Sequence, residues 1–188
     1  VSIVASTPER SVEAAKRFGI SRGDADLDVA IRGSDAQVLH ICTPNTLHHQ
    51  MVITGLDAGL HVVCEKPLAT SVAEARSIVE HVGHDDRSHA VCFNNRFYPL
   101  VQDLKARRAA GDLGRVFLVR ASIADDTLWA PTDWDWRLDP RLGGPTVVTS
   151  TTGSHLIDLV SYVTGSRVIE VCADFGTGYP SERSVPPE

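Results

Sequence analysis

The chain has 188 residues, 43% of them hydrophobic and 22% charged, with a net charge of −6. Those proportions suit a globular protein of one ordinary domain or two small ones. The acidic balance excludes a general nucleic-acid binder, and no apolar run approaches the roughly 18 residues that would cross a membrane.

Residues 1–5 read as a buried strand, and Ser6-Thr7-Pro8-Glu9-Arg10 as the turn into a helix. Thr7 suits the N-cap, Pro8 the first helical position and Glu9 the positive helix end. Val12, Ala15 and Phe18 follow at helical spacing, and Gly19 stops the helix. Residues 24–31 are predicted as a short helix, with Gly33-Ser34-Asp35 as a turn.

Residues 38–43 are an apolar run broken by Pro44-Asn45. Helical character then extends to Gly59, and a second apolar run, residues 61–64, delivers Glu65-Lys66-Pro67. Strand, turn, helix and strand within about thirty residues is a βαβ unit with parallel strands. Ligands bind beyond the carboxyl ends of such strands, where Thr43-Pro44-Asn45 and Glu65-Lys66-Pro67 both lie. Asn45 stands at or beside the next helix's N-cap, where it caps the helix or reaches a ligand. His48 and His49 point in different directions, which argues against a metal site there.

Ser71-Val72-Ala73-Glu74 is a capping box, and Val72, Ala75, Ile78, Val79 and Val82 form the buried stripe of its helix. His81 and His84 are three residues apart, but Asp85-Asp86 marks a solvated helix end. Residues 89–94 make the next strand, ending in Asn94-Asn95-Arg96-Phe97-Tyr98-Pro99. A helix over residues 100–110 stops at Gly111, and residues 116–124 alternate as a strand. A long loop follows with Trp129, Trp134, Trp136-Arg137 and Gly143-Gly144, its aromatic faces suited to stacking on a ring or to packing as a lid. Gly153 opens a helix that carries His155 and stops at Gly165, and residues 168–175 begin another strand. The four cysteines show no CxxC spacing and read as reduced and buried, which points to the cytoplasm.

TPN ahead of a helix, followed by AGLHVVCEKPLA, resembles the Gfo/Idh/MocA oxidoreductases, and the likeness runs from Val1 to about Gly178. The fold class implied is α/β: a partial Rossmann-type doubly wound parallel sheet, then the start of a C-terminal α/β domain with a largely antiparallel sheet. The expected boundary divides residues 1–98 from residues 99–188, near Tyr98-Pro99. The resemblance implies hydride transfer between NAD or NADP and a small-molecule sugar, cyclitol or related polyol. It also implies a homo-oligomer formed through the C-terminal sheet; the charge balance and the lack of a long apolar run argue against nucleic acid and membrane as partners, and the histidine placement against a metal.

Lys66, aimed by a cis bond to Pro67, and His155 of GSHLIDL are the implied catalytic pair. The alternative for Lys66 is a surface ion pair with Glu65. Relatives commonly carry aspartate four residues before the histidine, where this chain has Thr151. The implied cofactor-binding set is Ser6, Thr7, Arg10, Thr43, Pro44, Asn45, His48, Glu65, Lys66, Asn94, Arg96, Trp136 and Arg137. A carboxylate at the end of the second Rossmann strand would bond the ribose 2′-hydroxyl of NAD. Ser6, Thr7 and Arg10 stand there instead, which favours NADP, although an N-cap and a solvated arginine account for the same residues. No G-x-G-x-x-G occurs. Relatives carry that loop ahead of this starting point and continue after this end, so the chain is expected to be part of a longer protein and to bind dinucleotide weakly alone. A non-catalytic dinucleotide-responsive regulator of the same fold, or an inactive truncated product, are the rival expectations; Lys66 and His155 together favour the enzyme over the regulator.

Overall fold

The computed structural model describes residues 1–83, 86–131, 133–176 and 182–184. Its first ladder pairs β1 (Ser2–Val4) with β2 (Arg22–Asp24) in parallel, Ser2 opposite Arg22 and Val4 opposite Asp24. The crossover is α1 (Pro8–Phe18). Thr7 Oγ1 accepts from the Arg10 N–H at 3.2 Å, and Gly19 ends the helix at φ +65°. Its buried face is Ser11 and Ala15, whereas Val12 and Phe18 of the expected stripe face outward. Close approach explains the small residues: a Cβ on Gly23 would lie 2.3 Å from the Ser11 carbonyl oxygen. The enclosed Ser11 hydroxyl accepts from the Ala5 N–H and donates to the Thr7 carbonyl, which offsets its desolvation. Pairing with β1 takes Arg22–Asp24 into a strand, so the helix expected over residues 24–31 starts later, as α2 (Leu27–Arg32), capped by Asp26.

The second ladder runs β3 (Val38–Ile41), β4 (His61–Cys64), β5 (His89–Val91), all parallel. Its crossovers are α3 (His48–Asp57) and α4 (Val72–Val82). Ile41, Val52, Leu56, Val62, Cys64 and Ile78 form one buried cluster, flanked by Leu39, Met51, Leu68 and Val82. The Ser71–Glu74 capping box is present at the start of α4. Ile78 is buried, while Val72 and Val79 of the expected stripe are exposed. The cap fixes where the helix begins, but the area of sheet beneath it fixes how wide a face it buries.

Among the described residues, the regular elements of the second half are helices and helical turns. A 3₁₀ turn at Asn94–Phe97 leads into α5 (Pro99–Ala110), stopped by Gly111 at φ +87°. The long loop folds into a 3₁₀ turn at Trp136–Leu138 and the short α6 (Pro140–Gly143). A π-helical turn at Thr149–Gly153 runs into α7 (Ser154–Thr164), which packs on α5. The strands expected over residues 116–124 and 168–175 join no sheet among the described residues, and every strand pair described is parallel. An alternating apolar segment becomes a strand only when a neighbour accepts its backbone ladder, and none of the described residues does so. The cysteines are all free; Cys64 is buried as expected, but Cys42 and Cys172 are exposed and Cys92 half-buried. Among the described residues no helix is long and apolar enough to cross a membrane.

Candidate active site

Because Ile41, Cys64 and Val91 stand in register, the loops after β3, β4 and β5 emerge side by side. The middle loop carries Lys66, joined to Pro67 by a cis peptide bond. The Lys66 ammonium does not pair with Glu65. It reaches across the chain and donates to the carbonyl oxygens of Thr151 at 3.0 Å and Ser150 at 3.4 Å. The Glu65 carboxylate instead accepts from the Lys66 backbone N–H at 3.2 Å. Ser150 and Thr151 belong to the π-helical turn, a geometry frequent at functional sites. That turn delivers His155 in the first turn of α7, where its ring meets Phe93 edge-on at 5.9 Å and 86°.

Electrostatics couple the pair. Burial, then the positive charge of Arg137, pulls Lys66 below its ordinary value, against the pull of Glu65. Burial, then the charge of Lys66, pulls His155 down, opposed by Asp158 and Glu65. Both groups therefore give up protons more readily than in water, which suits proton exchange with a substrate oxygen. Among the described residues, two buried polar atoms lack a hydrogen-bond partner: Thr43 Oγ1 and His155 Nδ1. An unpaired buried hydroxyl and imidazole nitrogen beside a half-buried lysine fit a polar ligand at these strand ends.

Polar links hold the second half against the loops. Asn45 Nδ2 donates to the Gly143 carbonyl and Thr46 Oγ1 to that of Arg141, each at 2.9 Å. Asn45 is thus buried and occupied, and it caps no helix. Gly143 is required there, since a Cβ would come within 2.3 Å of the Arg137 carbonyl oxygen. Arg137 stacks on Trp136 at 4.4 Å and pairs with Asp135 at 3.0 Å. Arg96 does not stand open at its strand end: its guanidinium grips Asp158 of α7 with two nitrogens, one at 2.7 Å, and lies over the rings of Phe93 and Tyr162. His48 is enclosed, with both ring nitrogens turned to backbone carbonyls, so it offers a ligand nothing.

Asn94 is exposed in the turn after β5. Ser6, Thr7 and Arg10 are exposed on the other ladder, where Arg10 donates to Ser6 Oγ at 3.1 Å. Phe93, Asp158 and the carbonyls of Ser150 and Thr151 were missed in the sequence. Asp158 stood in GSHLIDL unassigned, and a backbone carbonyl has no residue type to betray it. His40, Glu65 and Cys92 bring possible metal ligand atoms within 4.8 Å of one another. Burial and the Glu65 charge raise the Cys92 thiol, which opposes the thiolate a metal requires. His81 pairs with Asp57 at 2.8 Å, and His84 and Asp85 lie outside the described residues.

The family model described as "Oxidoreductase family, NAD-binding Rossmann fold" matches residues 1–93, and that described as "GFO/IDH/MocA C-terminal domain" matches residues 101–186. Levoglucosan dehydrogenase of Pseudarthrobacter phenanthrenivorans is 32% identical over 164 residues, covering 87% of this chain and 42% of that protein. Myo-inositol 2-dehydrogenase of Thermotoga maritima is 27% identical over 166 residues, covering 88% and 47%. Among solved structures, levoglucosan dehydrogenase in complex with NADH and levoglucosan superposes with a TM-score of 0.83 at 32% identity, covering 87% of this chain and 45% of that one. An inositol dehydrogenase homolog with NAD+ from Azotobacter vinelandii gives 0.76 at 30% identity, covering 84% and 43%. The chain spans about half the length of the curated relatives it matches.

Proposed function

Since this chain belongs to the Gfo/Idh/MocA family of oxidoreductases, we propose that it carries the proton-handling side of a dehydrogenase acting on a sugar, cyclitol or related polyol with NAD(P). The observation that carries this reading is the reach of Lys66 from the β4 loop to the turn that delivers His155. Bound nicotinamide supplies the hydride acceptor or donor. Thr43, with its free hydroxyl, and Pro44, Glu65, Asn94, Trp136 and Arg137 would hold its nicotinamide end.

In the oxidation direction Lys66 takes the hydroxyl proton from the substrate, its ammonium form being disfavoured by burial and by Arg137. His155 holds the same oxygen or relays the proton through its unpartnered Nδ1. The Ser150 and Thr151 carbonyls keep the Lys66 side chain extended across the site in either charge state, because an amine and an ammonium both donate. Asn45 and Thr46 act indirectly, by seating the Trp136–Arg137 segment.

The finer readings belong to the same proposal. Ser6, Thr7 and Arg10 favour NADP, since hydroxyls and a guanidinium tolerate a 2′-phosphate that a carboxylate would repel. Residues 1–98 form the dinucleotide half, and residues 99–188 begin a substrate domain whose sheet is antiparallel and joins copies of the protein. Four unpaired thiols suit the reducing cytoplasm. The test is a dehydrogenase screen of the complete protein across sugars and cyclitols with both dinucleotides. Turnover of at least one polyol, lost in Lys66→Met, is expected; no turnover in any combination would sink the reading. A clear preference for NAD that Arg10→Ala leaves unchanged would sink the NADP part alone.

A further inference from the structure

His48 has no exposed surface, yet both of its ring nitrogens are engaged. Nδ1 stands 2.7 Å from the carbonyl oxygen of Pro67, and Nε2 stands 3.0 Å from that of Thr43. These carbonyls belong to the two loops that leave β4 and β3 side by side, and Pro67 directly follows Lys66. Neither carbonyl has a ladder partner, because both lie beyond the paired residues of their strands. Carbonyl oxygens only accept, so the ring must donate: each neutral tautomer reaches one of them, and the doubly protonated ring reaches both. An apolar side chain of similar volume would fill the same space. It would leave both loop carbonyls without a donor, a cost that even a neutral histidine removes for one of them.

We propose that His48 is a positioning residue for Lys66, tying the loop after β4 to the loop after β3. The tie fixes where the Lys66 amine stands relative to His155 and the Thr43 hydroxyl. Side chains in a proton-transfer site must be held within a fraction of an ångström, and a misplacement of about 1 Å costs about a hundred-fold in rate. The inference rests on the reading of Lys66 as the proton-handling group. Its neighbour His49 is the natural control, since that ring turns away to the surface and meets Ser77 at 3.1 Å.

In the complete protein, His48→Leu, His48→Gln and His49→Ala are compared by two measurements. The first is steady-state kinetics across pH. His48→Leu is expected to lower kcat about a hundred-fold and to move the pH at which the Lys66 limb levels off, with KM for the dinucleotide nearly unchanged. His48→Gln, which keeps a donor, should recover part of that loss, and His49→Ala should match the wild type. The second measurement is amide hydrogen exchange at Glu65, Lys66 and Leu68, which reads the tie without turnover; it should quicken in His48→Leu only. If His48→Leu does not fold, His48→Gln carries the test, with an intermediate kcat and a shifted pH limb expected. An active wild type whose His48 variants keep kcat, pH profile and exchange would overturn the inference. Faster exchange in a protein that turns over no polyol would support the tie and sink the activity reading instead.

Discussion

The two halves of this chain reach the site by different physics. Among the described residues, every buried hydrophobic side chain lies between Ala15 and Ile78. Past that point Phe117, Leu118, Ile169 and Val171 are mostly exposed, although their segments alternate as strands should. The second half nevertheless delivers His155 and the carbonyls that receive Lys66, and polar links do much of the holding: Asn45 to Gly143, Thr46 to Arg141, Arg96 to Asp158. Apolar burial stabilises in bulk but is indifferent to direction, whereas a hydrogen bond adds little and specifies geometry. Stability should therefore concentrate in the first half, and alignment of the site in the links.

The largest expected effect tests the join itself. In the complete protein, Lys66→Met and His155→Ala should each lower kcat by about a hundred- to ten-thousand-fold, with dinucleotide affinity nearly unchanged. Thr151→Val should cost much less, because Thr151 offers Lys66 its backbone carbonyl, which the substitution keeps. Steady-state kinetics decides, and wild-type turnover in Lys66→Met would dissolve the join.

Next in size is the core. Leu56→Ala should destabilise by about 2–5 kcal/mol in a urea titration. A loss of a few tenths would mean that the first half is not the stable one. Arg96→Ala removes a two-point grip on an almost enclosed carboxylate, with Arg96 itself 39% exposed. About 1–2 kcal/mol is expected from the same titration, together with a fall in kcat as α7 loosens.

Arg137→Ala should alter pH dependence more than stability. Lysine accepts a proton only when neutral, and burial and Arg137 hold its value below the ordinary one. The oxidation rate should therefore rise with pH and level off below the usual lysine range. Removing the positive neighbour makes the ammonium easier to keep, so the plateau should move to higher pH. Glu65→Gln should move it lower. Opposite shifts in a pH–rate profile would reverse this assignment of charges. Smallest of all is Phe117→Ala, expected within about 0.5 kcal/mol of wild type. A clear loss of melting temperature there would show that residues 116–124 pack on something, and the contrast between the halves would narrow.

What was legible in the sequence is what short-range chemistry decides. Thr7 and Ser71 cap their helices because a hydroxyl meets an N–H three residues on, and Gly19, Gly111 and Gly165 end theirs in left-handed conformations. The β3–α3–β4 unit followed from apolar runs punctuated by Pro44 and Gly59, and with it came the side-by-side placement of the Thr43 and Lys66 loops. Tertiary structure alone decided which side chains remain free at those loops. Arg96, Asn45 and His48 each carry donors that suit a ligand, and each is occupied by a partner 62, 98 or 19 residues away. Tertiary structure also decided that Lys66 reaches Ser150 and Thr151, whose carbonyls any residue would provide. It left residues 116–124 unpaired despite a strand's pattern. Donors and acceptors are written in the residue types, but whether a protein group or a ligand satisfies them depends on what the fold brings within about 3 Å, and no local pattern encodes that distance.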